Sequence, residues 1–231
     1  MYTGGRVLAA IAGGLFRGSC FLCRGAARAT LCPACTADLP RSAGGACPRC
    51  ALASPGGAVC GRCLADPPAY DATVAALAYA FPGDVLIQAL KFRGELALAP
   101  LLAALLSDRI AAGEPVDLVL PVPLAPRRLR ERGYNQAAEI ARRLRARAPL
   151  ELFLCERSRD TAAQAELPWA ERRRNVRGAF RCTRAIPGGT VAVVDDVMTT
   201  GATLNEIALV LKQSGATRVV NWVVARTYVE T

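Results

Sequence analysis

The sequence predicts an α/β protein, a mostly parallel sheet flanked by helices, preceded by a small cysteine-rich module. Three observations carry this. From residue 67 onward, strand-like apolar runs alternate with runs of helical period. The strongest strand-like runs are continuously apolar, as strands covered on both faces require. Eight of the ten cysteines fall between Cys20 and Cys63, and a segment that short seldom stabilises itself by apolar burial alone, so it needs a cross-link, a metal or a partner. The expected organisation is a featureless lead segment over residues 1–19, a cysteine module over 20–66 and an α/β domain over 67–231.

The cysteines form four C-x-x-C pairs: Cys20 with Cys23, Cys32 with Cys35, Cys47 with Cys50, and Cys60 with Cys63. Two intervening residues let both thiolates of a pair reach one cation from a tight turn, and two pairs complete a tetrahedral site. Four pairs therefore make two sites. The chain has no histidine, so mixed Cys/His sites are excluded and each zinc would have four thiolates. Such a closed set is structural, with no open position for water. Sequential pairing of neighbouring knuckles and a cross-braced arrangement (20/23 with 47/50, 32/35 with 60/63) are both open. Disulfides, thioredoxin-type redox pairs and an iron–sulfur cluster compete with zinc but fit the repetition less well.

Asp66-Pro67-Pro68 marks the boundary, since paired prolines favour an extended connection. Thr73 to Ala80 reads as a strand, and Asp84 as the cap of a short helix over Val85 to Phe92. Glu95 to Ala112 carries leucines at helical spacing and stops at Gly113. Asp117 to Pro123 is an apolar strand ended by prolines, followed by an arginine-rich loop to Tyr134. Asn135 then caps a helix expected to run to about Arg147. Leu150 to Leu154 is a short strand, and Glu156 to Arg174 is polar. After the Pro187-Gly188-Gly189 turn, Thr190 to Val194 is a continuous apolar strand. Ala202 to Gln213 is a helix closed by Gly215, and Arg218 to Ala225 is the last strand.

In parallel α/β sheets ligands bind at the carboxyl ends of strands, and the 190s strand ends on two adjacent acids, Asp195 and Asp196. Thr199-Thr200-Gly201-Ala202-Thr203 follows, a hydroxyl-rich turn opening a helix. Amides at a helix start, with the helix dipole and three hydroxyls, make an anion cradle. The two carboxylates would repel a bare phosphate, so they must bind sugar hydroxyls or attract Mg²⁺. A ligand with a 5-phosphate, ribose hydroxyls and a metal-bound diphosphate satisfies the whole set. The turn lacks the lysine of a nucleotide P-loop, and no strand is followed by G-x-G-x-x-G.

The strand with Asp195-Asp196-Val197-Met198-Thr199-Thr200-Gly201-Ala202-Thr203 resembles the 5-phosphoribosyl-1-diphosphate (PRPP) signature of type I phosphoribosyltransferases. By that resemblance Asp195 and Asp196 would hold ribose hydroxyls and Thr199 to Thr203 the 5-phosphate. Leu118 to Leu124 leading into Arg127, Arg128 and Arg132-Gly133-Tyr134-Asn135-Gln136 resembles the diphosphate loop of that fold, with Pro123 and Leu124 beside the ligand and Arg127 and Arg128 meeting the leaving group. Arg157, Arg159, Thr161 and Gln164 sit where family members keep a lid. Taken with the four-knuckle front, the chain is similar as a whole, from about Cys20 to Val224, to the ComF family, which is associated with competence and with single-stranded DNA during natural transformation. The resemblance implies a type I phosphoribosyltransferase fold, two structural zinc ions, Mg²⁺ with PRPP, and single-stranded DNA or other competence proteins as partners.

The formal charge of +10 is almost wholly arginine and favours phosphate-bearing partners without choosing among them. Aromatic residues make up only 6%, against an extensive base-stacking platform but not against backbone binding. The resemblance implies an enzyme as the favoured reading, with a non-catalytic single-stranded-DNA-binding module as the alternative. No run approaches the roughly 20 apolar residues that cross a bilayer. The start also lacks a convincing signal peptide. The expectation is a cytoplasmic protein without membrane insertion, where thiols stay reduced.

Overall fold

A computed structural model describes residues 18–42, 44–158 and 176–228. The chain divides into two compact units, Met1–Leu39 and Pro40–Thr231. The first holds a two-residue hairpin, β1 (Gly18–Ser19) with β2 (Ala26–Ala27), and a short helix α1 (Pro33–Ala37). The second opens with a helix of the same size, α2 (Gly61–Ala65), and then builds the sheet.

Four strands form that sheet: β3 (Ala72–Ala78), β4 (Leu118–Pro121), β7 (Thr190–Met198) and β8 (Arg218–Arg226), in the order β3-β8-β7-β4 and parallel throughout. The central strands explain the continuous apolar runs: Val191 to Val194 and Val219 to Ala225 are buried. On the outer side of β3, Ser42 and Ala78 bond Ala76 and Pro40 across an antiparallel bridge, which covers part of that edge. A separate antiparallel pair, β5 (Cys155–Arg157) with β6 (Phe180–Cys182), lies off the sheet.

Helices α3 (Gly83–Phe92), α4 (Ala99–Ile110), α5 (Pro126–Arg132) and α6 (Gln136–Ala141) occupy the first half of the domain and α7 (Ala202–Gln213) connects β7 to β8. Helix α4 buries Leu102, Leu105, Leu106 and Ile110, each contributing roughly 1.5–3 kcal/mol. Helix α7 buries Leu204, Ile207 and Leu211 in a core cluster shared with Val191, Val193, Val219, Val223 and the cysteines Cys47, Cys50 and Cys63. The second set of cysteines is thus part of the wall of the α/β core.

Several elements differ from expectation for local reasons. Asp84 does not cap α3: the cap position is Pro82, and Asp84 stands in the first turn, where its carboxylate accepts from Val85 N–H at 2.8 Å. The arginine-rich loop after β4 is the helix α5. Pro126 starts it, Arg127 and Glu131 pair across one turn at 2.7 Å, and Gly133 at φ 81° ends it. Asn135 caps α6 as expected, accepting from Ala137 and Ala138 N–H. That helix stops at Ala141 and not near Arg147: Arg143 and Leu144 N–H tighten onto Ile140 and Ala141 O, and Arg145 N–H goes to the Ser107 hydroxyl at 3.0 Å. The expected strand at Leu150 to Leu154 is a single bridge to Val119. The chain then leaves the sheet edge to pair with β6.

Candidate functional site

The two cysteine tetrads share a plan that follows from the knuckle spacing. In each, the first knuckle turns back on itself: Cys20 N–H donates to Gly25 O and Cys47 N–H to Leu52 O, both at 2.7 Å. The residue after each first knuckle, Arg24 (φ 62°) or Ala51 (φ 57°), is left-handed to close that turn. Each second knuckle begins a five-residue helix, with Cys32 ahead of α1 and Cys60 ahead of α2.

Sulfurs of Cys20, Cys23, Cys32 and Cys35 lie within 4.8 Å of one another, and so do those of Cys47, Cys50, Cys60 and Cys63. Pairing is therefore sequential. Cys23 and Cys32 sulfurs are 3.8 Å apart and Cys50 and Cys60 sulfurs 3.6 Å apart. Tetrahedral zinc with Zn–S bonds of about 2.3 Å would separate its sulfurs by about 3.8 Å. Both tetrads fit structural zinc.

As bare thiols the members of a tetrad titrate far apart. Backbone N–H groups of Cys23 and Cys32 pull Cys20 down to about 6, whereas the Cys32 thiol and burial push Cys35 up to about 12. In the second tetrad burial pushes Cys47 up, but N–H groups of Cys60, Cys50 and Arg49 outweigh it and bring it to about 7. A cation that takes all four as thiolates removes this conflict.

The acid pair and the threonine turn stand where β4 stops. The β4–β7 register ends at Pro121 opposite Val194, and Val122 N–H donates to Val194 O at 2.8 Å. Strand β7 continues alone with β8 to Met198, so Asp195 and Asp196 lie inside the strand but beyond its β4 partner. Asp195 is half-buried and Asp196 is 3% exposed. Burial first, and then the neighbouring Asp196 carboxylate, push the Asp195 carboxyl well above the ordinary range, while Lys91 opposes the shift. Asp196 Oδ1 accepts from Val197 N–H at 2.8 Å. Its Oδ2 has no hydrogen-bond partner among the described residues and faces the Lys91 ammonium at 3.4 Å. A buried, unsatisfied carboxylate oxygen at a strand end fits a hydroxyl donor or a hydrated cation.

Past Met198 the chain turns into α7 through Gly201, which caps the helix at φ 80°. A Cβ there would lie 2.7 Å from Met198 Cε and 2.9 Å from the Tyr70 hydroxyl, so glycine is required both by conformation and by space. Thr200 Oγ1 accepts from Ala202 N–H at 3.2 Å. Among the described residues, the N–H groups of Thr199, Thr200 and Gly201 donate to no protein acceptor. Unbonded amides ahead of a helix can receive an anion.

Pro123, Leu124 and Arg157 line a cleft of about 590 Å³ with Pro121, at the end of β4, and with Leu129, Tyr134 and Phe153. Arg157 stacks over Phe180 at 5.5 Å. Arg127 and Arg128 lie in the first turn of α5, and Arg127 pairs with Glu131. Arg159, Thr161 and Gln164 lie outside the described residues.

Four residues that the motifs did not single out belong to this neighbourhood: Lys91, Tyr70, Arg62 and Arg226. Lys91 had one available signal. It and Lys212 are the only lysines among 29 basic residues, and Lys212 is paired with Asp71 at 2.9 Å. Tyr134, from the segment after α5, donates to Leu90 O and ties that segment to the helix turn carrying Lys91.

A fold with cysteine tetrads at its front and a phosphate-type turn on a parallel sheet defines a zinc-ribbon protein with a phosphoribosyltransferase domain. Family models agree: a double zinc ribbon domain matches residues 12–64 and a phosphoribosyl transferase domain residues 128–227. The chain is 37% identical over 228 residues to the DNA utilization protein YhgH of Escherichia coli O157:H7, covering 91% of this chain and 97% of the relative. The Salmonella typhi protein of that name is 36% identical with the same coverage. Competence protein F of Haemophilus influenzae is 34% identical over 178 residues, covering 72% of this chain and 78% of the relative. The chain belongs to the ComF family. No helix among the described residues is long and apolar enough to cross a membrane.

Proposed function

We propose that this protein binds PRPP with Mg²⁺ at the carboxyl end of β7 and transfers its phosphoribosyl group to an acceptor. The observation that carries the reading is the acid pair Asp195 and Asp196, with a buried Asp196 oxygen that accepts no hydrogen bond among the described residues, followed after two intervening residues by three unbonded amides leading into α7. Asp195 and Asp196 would hold the ribose hydroxyls. Thr199, Thr200, Gly201, Ala202 and Thr203 would hold the 5-phosphate. Mg²⁺ would travel with the diphosphate and offset the charge of the acids. Arg127 and Arg128 would meet the departing diphosphate, with Pro123 and Leu124 beside it and Arg157, Thr161 and Gln164 covering the reacting carbon. Catalysis would come from positioning and charge stabilisation. With no histidine in the chain, the base is a carboxylate, a lysine or the acceptor itself.

Names of the relatives support a role in DNA handling. The proposed compartment is the cytoplasm, where reduced thiols keep zinc sites intact. The test is calorimetric titration of the full chain with Mg²⁺-PRPP. Binding in the micromolar to millimolar range, lost in Asp195→Asn/Asp196→Asn, is the expected result; no binding at millimolar ligand overturns the reading.

The net charge of +10 favours a second reading, a non-catalytic single-stranded-DNA-binding factor on the same fold, in which other competence proteins are partners. It requires DNA affinity that survives physiological salt. A steep loss over that range marks generic attraction instead.

A further inference from the structure

The turn from Met198 to Gly201 is gripped from behind by two arginines. Arg226, the last residue of β8, is 1% exposed. Its Nη1 donates to the carbonyls of Met198 at 2.9 Å, Thr199 and Thr227, and its Nε donates to the Cys50 carbonyl at 2.8 Å. Arg62, between Cys60 and Cys63, donates through Nη2 to the Thr200 carbonyl at 3.0 Å. Three successive carbonyls of the turn are thus tied to the second cysteine tetrad. Arg62 does so from within a knuckle, and Arg226 through a backbone bond to a cysteine of the other knuckle.

In a trans peptide the C=O and N–H point to opposite sides of the chain. Holding the carbonyls of Met198, Thr199 and Thr200 therefore directs the N–H groups of Thr199, Thr200 and Gly201 the other way. None of these three amides has a protein acceptor among the described residues. The charge balance is consistent: zinc with four thiolates carries a net double negative charge, and two guanidinium groups stand beside it. A cavity of about 280 Å³ lined by Cys50, Arg62, Cys63, Tyr70 and Gly201 leaves room behind the turn, so the arginine bonds hold the loop where packing is incomplete.

We infer that the second zinc ribbon is a working part of the anion turn, with Arg62 and Arg226 as positioning residues that transmit the order of the tetrad to three phosphate-facing amides. The consequence for ligand affinity rests on the phosphoribosyl reading above. The consequence for the order of the turn does not.

The test uses Arg62→Ala and Arg226→Lys in the full chain, with zinc content and amide hydrogen exchange measured on each. The amides to follow are Thr227, Ala202 and Asn205, which bond Met198 O, Thr200 Oγ1 and Gly201 O. Arg62 is exposed, so its alanine variant should fold and keep both zinc ions even if Arg226→Lys does not. Expected in Arg62→Ala is exchange faster by about tenfold at these amides and a similar loss of Mg²⁺-PRPP affinity, the scale of one charge-assisted hydrogen bond. A Cys23→Ser/Cys32→Ser control, in the other compact unit, should leave the exchange unchanged. Unchanged exchange in Arg62→Ala with zinc retained overturns the inference. Faster exchange with unchanged affinity overturns its ligand half. A wild-type chain that fails to bind PRPP defeats the functional reading alone, because the exchange result is still decisive for the turn.

Discussion

Asp195 is a residue whose interactions cost the fold something. Burial and the adjacent Asp196 carboxylate raise its pKa, and the opposing pull of Lys91 and of the Asp196 N–H does not offset them. An aspartate in an unfolded chain titrates near about 3.9, so the folded chain holds this proton more tightly than the unfolded chain does. The stabilisation is complete below the unfolded value and is lost as the pH climbs through the folded one. At neutral pH an ionised Asp195 is therefore a burden that a hydroxyl-bearing ligand or a cation would relieve. Asp195→Asn should raise the denaturation midpoint at pH 7, flatten the fall in stability between pH 4 and neutrality, and weaken Mg²⁺-PRPP binding by at least about tenfold. Urea titrations across that pH range, with calorimetry alongside, measure all three. A variant less stable than wild type at pH 7 would show that the carboxylate is a net structural contributor instead.

At the scale of elements, the site is assembled where β7, α3 and α7 converge, and this is where sequence reading reached its limit. The acids and the threonine turn were legible because they are contiguous, and strand, turn and helix chemistry all point to the same residues. The four knuckles were legible because metal geometry fixes their internal spacing. Lys91 was not, since its partner Asp196 is 105 positions away and only the packing of α3 brings the ammonium to 3.4 Å. Arg226 reads as the polar end of an apolar strand until the fold places Cys50 against it. The overrun of α6 has a similar origin: Ser107 on α4 captures a backbone amide that helix periodicity had assigned to one more turn. The Lys91–Asp196 contact is testable as a double-mutant cycle. Lys91→Met leaves a buried carboxylate without its counter-ion, and because the lysine side chain keeps 29% of its surface exposed, the loss should be about 1–2 kcal/mol. In an Asp196→Asn background the same change should cost much less. Equal losses in both backgrounds would mean that Lys91 acts through packing.

At the scale of the molecule, the two cysteine tetrads should differ in what depends on them, although their local plans match. Cys47, Cys50 and Cys63 share a core cluster with Leu204, Ile207, Val219 and Val223, so the second tetrad is one wall of the α/β unit. The first tetrad belongs to the unit Met1–Leu39, a length that apolar burial alone seldom stabilises, so this unit should depend on its own metal. Elemental analysis of chelator-free protein should return two zinc ions per chain, and one in either Cys32→Ser or Cys60→Ser. Thermal unfolding then separates the roles. Cys60→Ser should lower the main transition by about 5–10 °C, corresponding to a loss of a few kcal/mol in a domain of this size. Cys32→Ser should leave the main transition in place and remove only the signal of the small unit. Equal shifts in the two variants would mean that the units unfold as one, and that the first tetrad supports the α/β core as directly as the second.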